Sequence, residues 1–345
     1  MHTIFIGPLG GGKEISNGAS VKNYHIVKKL KKYLPSLKIL DTENWKSKPW
    51  KLVQLFWLIV TNNKQRFILS LNSKSANKVI RLIELLAPKA QIVYWVIGGQ
   101  FGKMIEDKIF SPRPYSKIKN IIVEGVSMKR QLAKGGINNV MVMPNFKEIP
   151  SYSKCKIANR SKLKFVFLSR IIPQKGCDLI IDAVRELNTR YPSDEYLVDF
   201  YGPIAQDYKE RFISSIETIP NISYKGFLDL TNPENYSTLS SYSAMLFPTY
   251  WTGEGCPGVV IDAYLASLPV LASDWNLNKD YIRDNETGMI FSAKDINSLI
   301  TAMDKVLNKR YILEEFAKNI EKEKDRFNID KVLSESNLKK YYIMD

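Results

Sequence analysis

The chain has 345 residues, 45% hydrophobic and 25% charged, which favours two folded domains and excludes a disordered, collagenous or low-complexity chain. Its net charge of +15 sits in one half: residues 1–150 hold 25 lysines and arginines against 8 acids, residues 151–345 hold 25 against 27. Three scattered cysteines, Cys155, Cys177 and Cys256, without a histidine cluster argue against a disulfide framework or zinc site and fit a reducing cytosol, and no apolar run approaches the ~18 residues that span a bilayer.

The first element is the strand TIFIG (3–7), followed by GPLGGGKEIS (7–16). The start MHTIFIGPLG is too short and wrongly flanked to be an export signal. Gly7, Gly12 and Lys13 have the spacing of a triphosphate-binding loop, but Glu14 stands where such a loop needs the Ser or Thr hydroxyl that ligates magnesium. What remains is a glycine-rich strand-to-helix turn. Its amides can approach a ligand closely, or it is simply a tight connection. A helix over Ala19–Leu34 follows, with an expected apolar stripe of Val21, Tyr24, Val27, Leu30 and Leu34. Further strands are expected at 37–42, 66–71, 91–97, 120–125 and 139–145, with helical stretches between them. The stretch WKSKPWKLVQLFWLIV (45–60) interleaves Trp45, Trp50 and Trp57 with Lys46, Lys48 and Lys51. That mixture suits an anionic membrane interface, or Leu55, Trp57 and Leu58 pack on the sheet. After a polar, lysine-rich linker (146–163), strands recur at 164–169, 197–202, 222–226, 244–249, 269–273 and 288–292. The fold class is therefore α/β, with two doubly wound parallel sheets. Ligands are expected at the carboxyl ends of the strands, in a cleft enclosed by the two domains.

The second half carries the densest chemistry. In LSRIIPQKGCDLIIDAV (168–184) a strand delivers Arg170, and Lys175 follows just before a helix opens at Gly176. A guanidinium fork and an ammonium point charge suit the two phosphates of a diphosphate. In FPTYWTGEGCPGVVIDAYLASLPVLAS (247–273), Glu254 lies in a Gly-rich loop, Pro257 marks a helix start, and the helix is expected to run through Leu268. The first amides of that helix, around Gly258 to Val260, have no internal partners and offer a positive end. Asp262 lies about one turn in.

These segments resemble the retaining glycosyltransferases of the GT-B fold, family 4 (glycosyl transferases group 1). The family's mark is Glu-x7-Glu in an EGFG…EAMACGKPVVAS setting, preceded by an Arg…Lys pair after the first strand of the second domain. EGCPGVVIDAYLASLPVLAS supplies Glu254, with Arg170 and Lys175 in matching places, and YGPI (201–204), YKGFL (224–228), NETGMIF (285–291) and MPNF (143–146) are further echoes. The resemblance covers 164–300 well and the first half loosely.

It implies two facing Rossmann-like domains: an acceptor domain over 1–150, a donor domain over 164–326, and a C-terminal helix (327–345) crossing back to the first. It implies a hexosyltransferase acting with retention on a nucleotide-diphosphate sugar, foremost a UDP-sugar, without metal or other cofactor. Arg170 and Lys175 would hold the diphosphate and Glu254 the sugar hydroxyls. Gly255, Cys256, Pro257, Gly258 and Val259 would form the donor loop and helix start. The family's second acid, which holds the ribose, is here Asp262, one methylene shorter. Gly11 and Gly12 would close over the phosphates. Neither His2 nor His25 matches the histidine that members often place after a middle strand, and VIGGQFG (96–102) leaves Gly98, Gly99 and Gln100 as acceptor-side candidates.

The implied acceptor is a glycan, lipid-linked, in surface polysaccharide or capsule assembly. The enzyme would be cytoplasmic and peripheral on the inner face of the cell membrane, where the basic half meets anionic lipid. No nucleic-acid-binding signature occurs. Two other readings share the fold: a catalytically silent scaffold, favoured by Asp262 and the missing histidine, and a nucleotide-sugar epimerase, which would turn over donor without acceptor.

Overall fold

Short β-branched and aromatic runs become strands here because both of their faces are covered. The first, β1 (Thr3–Gly7), is buried at all five positions. The computed structural model describes residues 1–10, 18–152 and 162–345. Its chain divides into two compact units, Met1–Phe146 with Ile329–Asp345, and Lys147–Asn328. The division thus falls between Phe146 and Lys147, at the start of the expected linker, whose residues 153–161 lie outside the described residues.

The first unit holds β1, β2 (Lys38–Asp41), β3 (Arg66–Asn72), β4 (Gln91–Ile97), β5 (Asn120–Val123) and β6 (Val140–Val142), in the order β2-β1-β3-β4-β5-β6. The second holds β7 (Leu163–Leu168), β8 (Tyr196–Tyr201), β9 (Ile222–Tyr224), β10 (Ala244–Phe247), β11 (Val270–Ser273) and β12 (Gly288–Phe291), in the order β12-β11-β10-β7-β8-β9. All pairs are parallel. Each sheet is doubly wound, and its order reverses once, between β1 and β3 and between β7 and β10. The crevice at such a switch point, outside the carboxyl ends, is where open α/β sheets bind ligands.

The helix Gly18–Tyr33 departs from the expected stripe. Val21 and Tyr24 are exposed, while Ser20, Lys22 and Asn23 are buried along with Ile26, Val27 and Leu30. Its first turn lies over the carboxyl ends of the strands, where open backbone groups demand polar partners. Asn23 Nδ2 donates to the carbonyls of Pro8 (3.0 Å) and Ser70 (3.2 Å), and Ser70 Oγ returns a bond to Asn23 Oδ1 (2.6 Å). Apolar periodicity starts only in the next turn.

The last residues belong to the first unit. Short helices Ile329–Val332 and Glu335–Lys340 carry Leu333, Leu338 and Ile343 into the core formed by Phe5, Ile26, Ile68, Val93 and Trp95. Tyr341 donates to the Val142 carbonyl (2.5 Å) and accepts on its own carbonyl from Asn120 Nδ2 (3.1 Å). Two ion pairs, Lys29 with Asp330 and Arg66 with Asp345, tie the segment down. Hydrogen bonding to these cations holds both carboxyls below the usual carboxylate range. A carboxyl depressed in the folded state contributes stability above its ordinary pKa that fades as pH falls through the lowered one. Acidification through the carboxylate range is therefore expected to loosen residues 329–345 ahead of the sheet, read as earlier loss of amide-exchange protection there.

Candidate functional site

In the second unit the site residues converge at the β7/β10 switch point. Past β7, the chain runs so close to the turn after β8 that a Cβ on Gly202, φ +137°, would lie 1.9 Å from the Ser169 carbonyl oxygen. Only glycine fits there, and the contact fixes where Arg170 leaves the sheet. Ile171 then donates to the Pro203 carbonyl (2.9 Å), and a 3-10 turn over Pro173–Lys175 ends at Gly176 in a left-handed conformation (φ +81°), its α-carbon packed on Pro248. That turn points Lys175 inward.

Lys175 is 7% exposed. Its ammonium lies 5.5 Å from the Phe247 ring at the end of β10 and pairs with Glu254 Oε2, which also accepts from Thr249 Oγ1 (3.1 Å). The Glu254 loop is clamped on several sides. Tyr250 N donates to the Gln174 carbonyl (2.8 Å), Trp275 Nε1 and Glu254 N to the Trp251 carbonyl (2.8 and 3.1 Å), and Asn276 Nδ2 to the Glu254 carbonyl (2.8 Å). Arg170, by contrast, is exposed, with its guanidinium 5.5 Å from the Trp251 ring and no ion pair to any described residue. One cation is neutralised by a sugar-binding candidate and the other is available to an anion.

The loop leads into the helix Gly258–Leu265, with Pro257 as its extended N-cap. It stops three residues short of the expected Leu268 because Ser267 turns left-handed (φ +56°). The amides of Gly258 and Val259 have no carbonyl one turn back within the helix, and its positive end therefore opens beside Glu254. Gly255, Cys256, Gly258 and Val259 are half-buried and Pro257 is buried.

Asp262 is 3% exposed, and both of its oxygens are engaged: Lys147 Nζ at 2.6 Å from each, and the Tyr236 hydroxyl donating to Oδ1 at 2.5 Å. A ribose hydroxyl would have to share these oxygens. Burial, then the Asp262 charge, pushes the Tyr236 phenol well above its ordinary range, so it remains a donor. Lys147 also runs alongside Gly258, with its Cε 3.6 Å from where a Cβ would stand. Sequence reasoning passed over Lys147, which falls in the linker stretch, Tyr236, which carries no motif, and Thr249, which lies in the stretch 247–273 but was given no role. For Lys147 the available signal was MPNFK, one residue beyond a segment already singled out.

In the first unit, Gly98 (φ +86°), Gly99 and the exposed Gln100 turn the chain from β4 into the helix Phe101–Glu106. The glycine-rich turn after β1 is described as far as Gly10. There Leu9 N donates to Asp41 Oδ1 (2.9 Å) and Gly10 N reaches Glu43 Oε2 (3.4 Å). Asp41, which closes β2, thus organises the turn. Gly11, Gly12 and Lys13 lie outside the described residues. A buried pair that sequence reasoning missed, Lys22 with Glu124 (2.5 Å), sits at the carboxyl ends with Lys22 5.5 Å from the Trp95 ring. Among the described residues, no three His, Cys, Asp or Glu side chains are grouped to hold a metal ion.

Residues 150–324 match the family model described as Glycosyl transferases group 1. The chain is 24% identical over 199 residues to the Escherichia coli UDP-Gal:alpha-D-GlcNAc-diphosphoundecaprenol alpha-1,3-galactosyltransferase, covering 55% of this chain and 49% of that protein. It is 25% identical over 145 residues to a GDP-mannose-dependent alpha-(1-6)-phosphatidylinositol monomannoside mannosyltransferase of Mycolicibacterium smegmatis, covering 41% and 38%. The chain spans about half or less of the length of these curated relatives. In fold it is similar to Anabaena HepE, solved in complex with UDP, with a TM-score of 0.73 at 14% identity over 99% of each chain. The fold class is that of GT-B structures, two six-stranded parallel α/β sheets.

Proposed function

The chain belongs to the glycosyl transferases group 1 family, and from that premise we propose that it moves a hexose, with retention of configuration, from a nucleotide-diphosphate sugar to a lipid-linked glycan acceptor. The observation that carries the donor half is the set at the β7/β10 switch point: exposed Arg170, inward Lys175 paired with Glu254, and the open helix start at Gly258.

The diphosphate is held by Arg170, Lys175 and the amides of Gly258 and Val259. Glu254 accepts from hydroxyls of the transferred sugar and stays tethered by Thr249. As the bond from the anomeric carbon to the phosphate oxygen breaks, its electron pair leaves with that oxygen, and charge accumulates where these donors are already in place. The acceptor hydroxyl attacks from the same face, and its proton passes to the departing phosphate oxygen. The cations and amides supply the neutralisation that a metal would otherwise provide, so a chelator is expected to leave turnover unchanged. Loss of turnover would contradict that point.

The donor nucleoside is proposed to be uridine, supported by the UDP complex of HepE and the UDP-Gal donor of the E. coli relative, with guanosine, as in the GDP-mannose donor of the Mycolicibacterium relative, as the alternative. The lipid-linked acceptor is assigned on the lipid-borne acceptors in the relatives' names, with the first unit binding it through Gly98, Gly99 and Gln100.

A melting-temperature screen of UDP-, GDP- and TDP-sugars, followed by transfer of labelled sugar from the best binder to polyprenyl-diphosphate glycans, tests the proposal. A ligand at a hundred times its Kd stabilises the folded chain by about 2.7 kcal/mol, so a rise of several degrees is expected with the UDP series. No shift with any of the three would contradict it. Donor consumption without acceptor would favour an epimerase.

A further inference from the structure

From the placement of its ammonium we infer that Lys147 is a further cation of the donor site. It donates to the diphosphate at the start of the helix Gly258–Leu265, and Asp262 and Tyr236 position it. The inference rests on the donor reading above and adds to it a residue from the stretch that follows β6. The root of Lys147 is fixed to the helix it serves. Its backbone N donates to the Phe327 carbonyl (2.9 Å), and the buried Phe327 ring packs edge-on against Tyr264 of that helix (5.5 Å) and stacks on Tyr281 (5.6 Å). From there the side chain runs along the face shared by helical residues four apart. It passes Gly258, where a Cβ would stand 3.6 Å from Cε and 3.7 Å from Nζ, and ends on Asp262, 2.6 Å from both carboxylate oxygens. The Tyr236 hydroxyl also donates to Asp262 Oδ1 (2.5 Å), and Tyr236 and Asp262 are both buried.

A pair that served only to hold the fold would be sealed at both ends, as Lys22 and Glu124 are, each 8% exposed. Here the carboxylate is sealed and the ammonium is not: the Asp262 side chain is 4% exposed and that of Lys147 33%. The position is also an unfavourable one for a cation. The amides of Gly258 and Val259 make this end of the helix positive, and cations are stabilised at the opposite end. Asp262 offsets that cost, and a bound anion would remove it. An ammonium has three N–H donors, of which Asp262 takes at most two. With Nζ this close to Gly258, a phosphate oxygen that accepts from the Gly258 amide is within reach of the remaining one. The diphosphate thus meets a third cation besides Arg170 and Lys175, and the Asp262 charge is used to keep that cation in place.

Binding of UDP by calorimetry and of uridine by ligand-observed NMR, on the full chain, tests it. Lys147→Gln keeps an amide donor for Asp262 but no charge, and Lys147→Met/Asp262→Asn removes both charges of the pair. Each is expected to bind UDP about tenfold more weakly than the wild type, the loss of one charge-assisted contact, at unchanged uridine affinity. Lys147→Arg should recover part of the difference. Wild-type UDP affinity in either variant would overturn the inference, as would an equal loss for uridine and UDP, which would place the pair against the nucleoside. Failure of both variants to fold would make the pair a purely structural one and overturn it equally. Failure of the donor reading looks different: the wild-type chain would then not bind UDP at all, or Arg170→Ala would bind it as tightly as the wild type.

Discussion

Arg170→Ala is expected to lower kcat/KM for the nucleotide-sugar donor by tenfold or more while leaving the melting temperature where it was. The guanidinium is exposed, pairs with no described carboxylate and lies 5.5 Å from the Trp251 ring. An exposed cation over a ring contributes at most about 1 kcal/mol, so little of the folding balance depends on it. A charge-assisted hydrogen bond to a phosphate is worth roughly 1.5–3 kcal/mol, and each 1.36 kcal/mol of lost transition-state stabilisation is about a factor of ten in rate. If the contact strengthens as charge builds on the leaving diphosphate, the loss falls on kcat more than on KM. Arg170→Lys should recover part of it, since a point charge replaces a fork. Wild-type kinetics in Arg170→Ala would remove this residue from the donor site.

Lys175→Ala should behave differently, by damaging both fold and rate. Both side chains of the Lys175–Glu254 pair are largely shielded from water, at 8% and 11% exposed. Removing one partner strands Glu254 with a single Thr249 hydroxyl. Breaking such a pair from one side costs about 3 kcal/mol, and the stranded carboxylate then also repels the incoming diphosphate. The double variant Lys175→Met/Glu254→Gln removes both charges, so it should regain much of the lost stability while staying inactive. Thermal unfolding of the two variants side by side checks this. A double variant no more stable than Lys175→Ala would mean that the ion pair is not what holds the two loops together.

The strands were legible because parallel strands covered on both faces are written as apolar runs, and each of the twelve described strands coincides with an expected one to within a few residues. That Lys175 and Glu254 come together was legible because motif spacing places both on loops at strand ends. What was not legible involves partners distant in sequence. Asp262 shares a helix with the donor loop, yet its neighbours come from residues 147 and 236, and no local pattern reveals a carboxylate already satisfied from elsewhere. The helix Gly18–Tyr33 misled for a related reason. Its polar first turn is buried against backbone carbonyls at the β1/β3 switch point, a demand set by the sheet rather than by helical period. Leu55, Trp57 and Leu58 read equally as core or as surface, because periodicity gives a stripe but not the direction it faces. Burial decided that.

The measurement that bears most directly on the donor site is a crystal structure of the second unit's site, in the full chain, with UDP bound. The diphosphate oxygens are expected within hydrogen-bond distance of the Arg170 guanidinium, the Lys175 ammonium and the amides of Gly258 and Val259, with the terminal phosphate on the Glu254 side. A diphosphate bound away from the β7/β10 switch point, or one touching neither cation, would contradict the account.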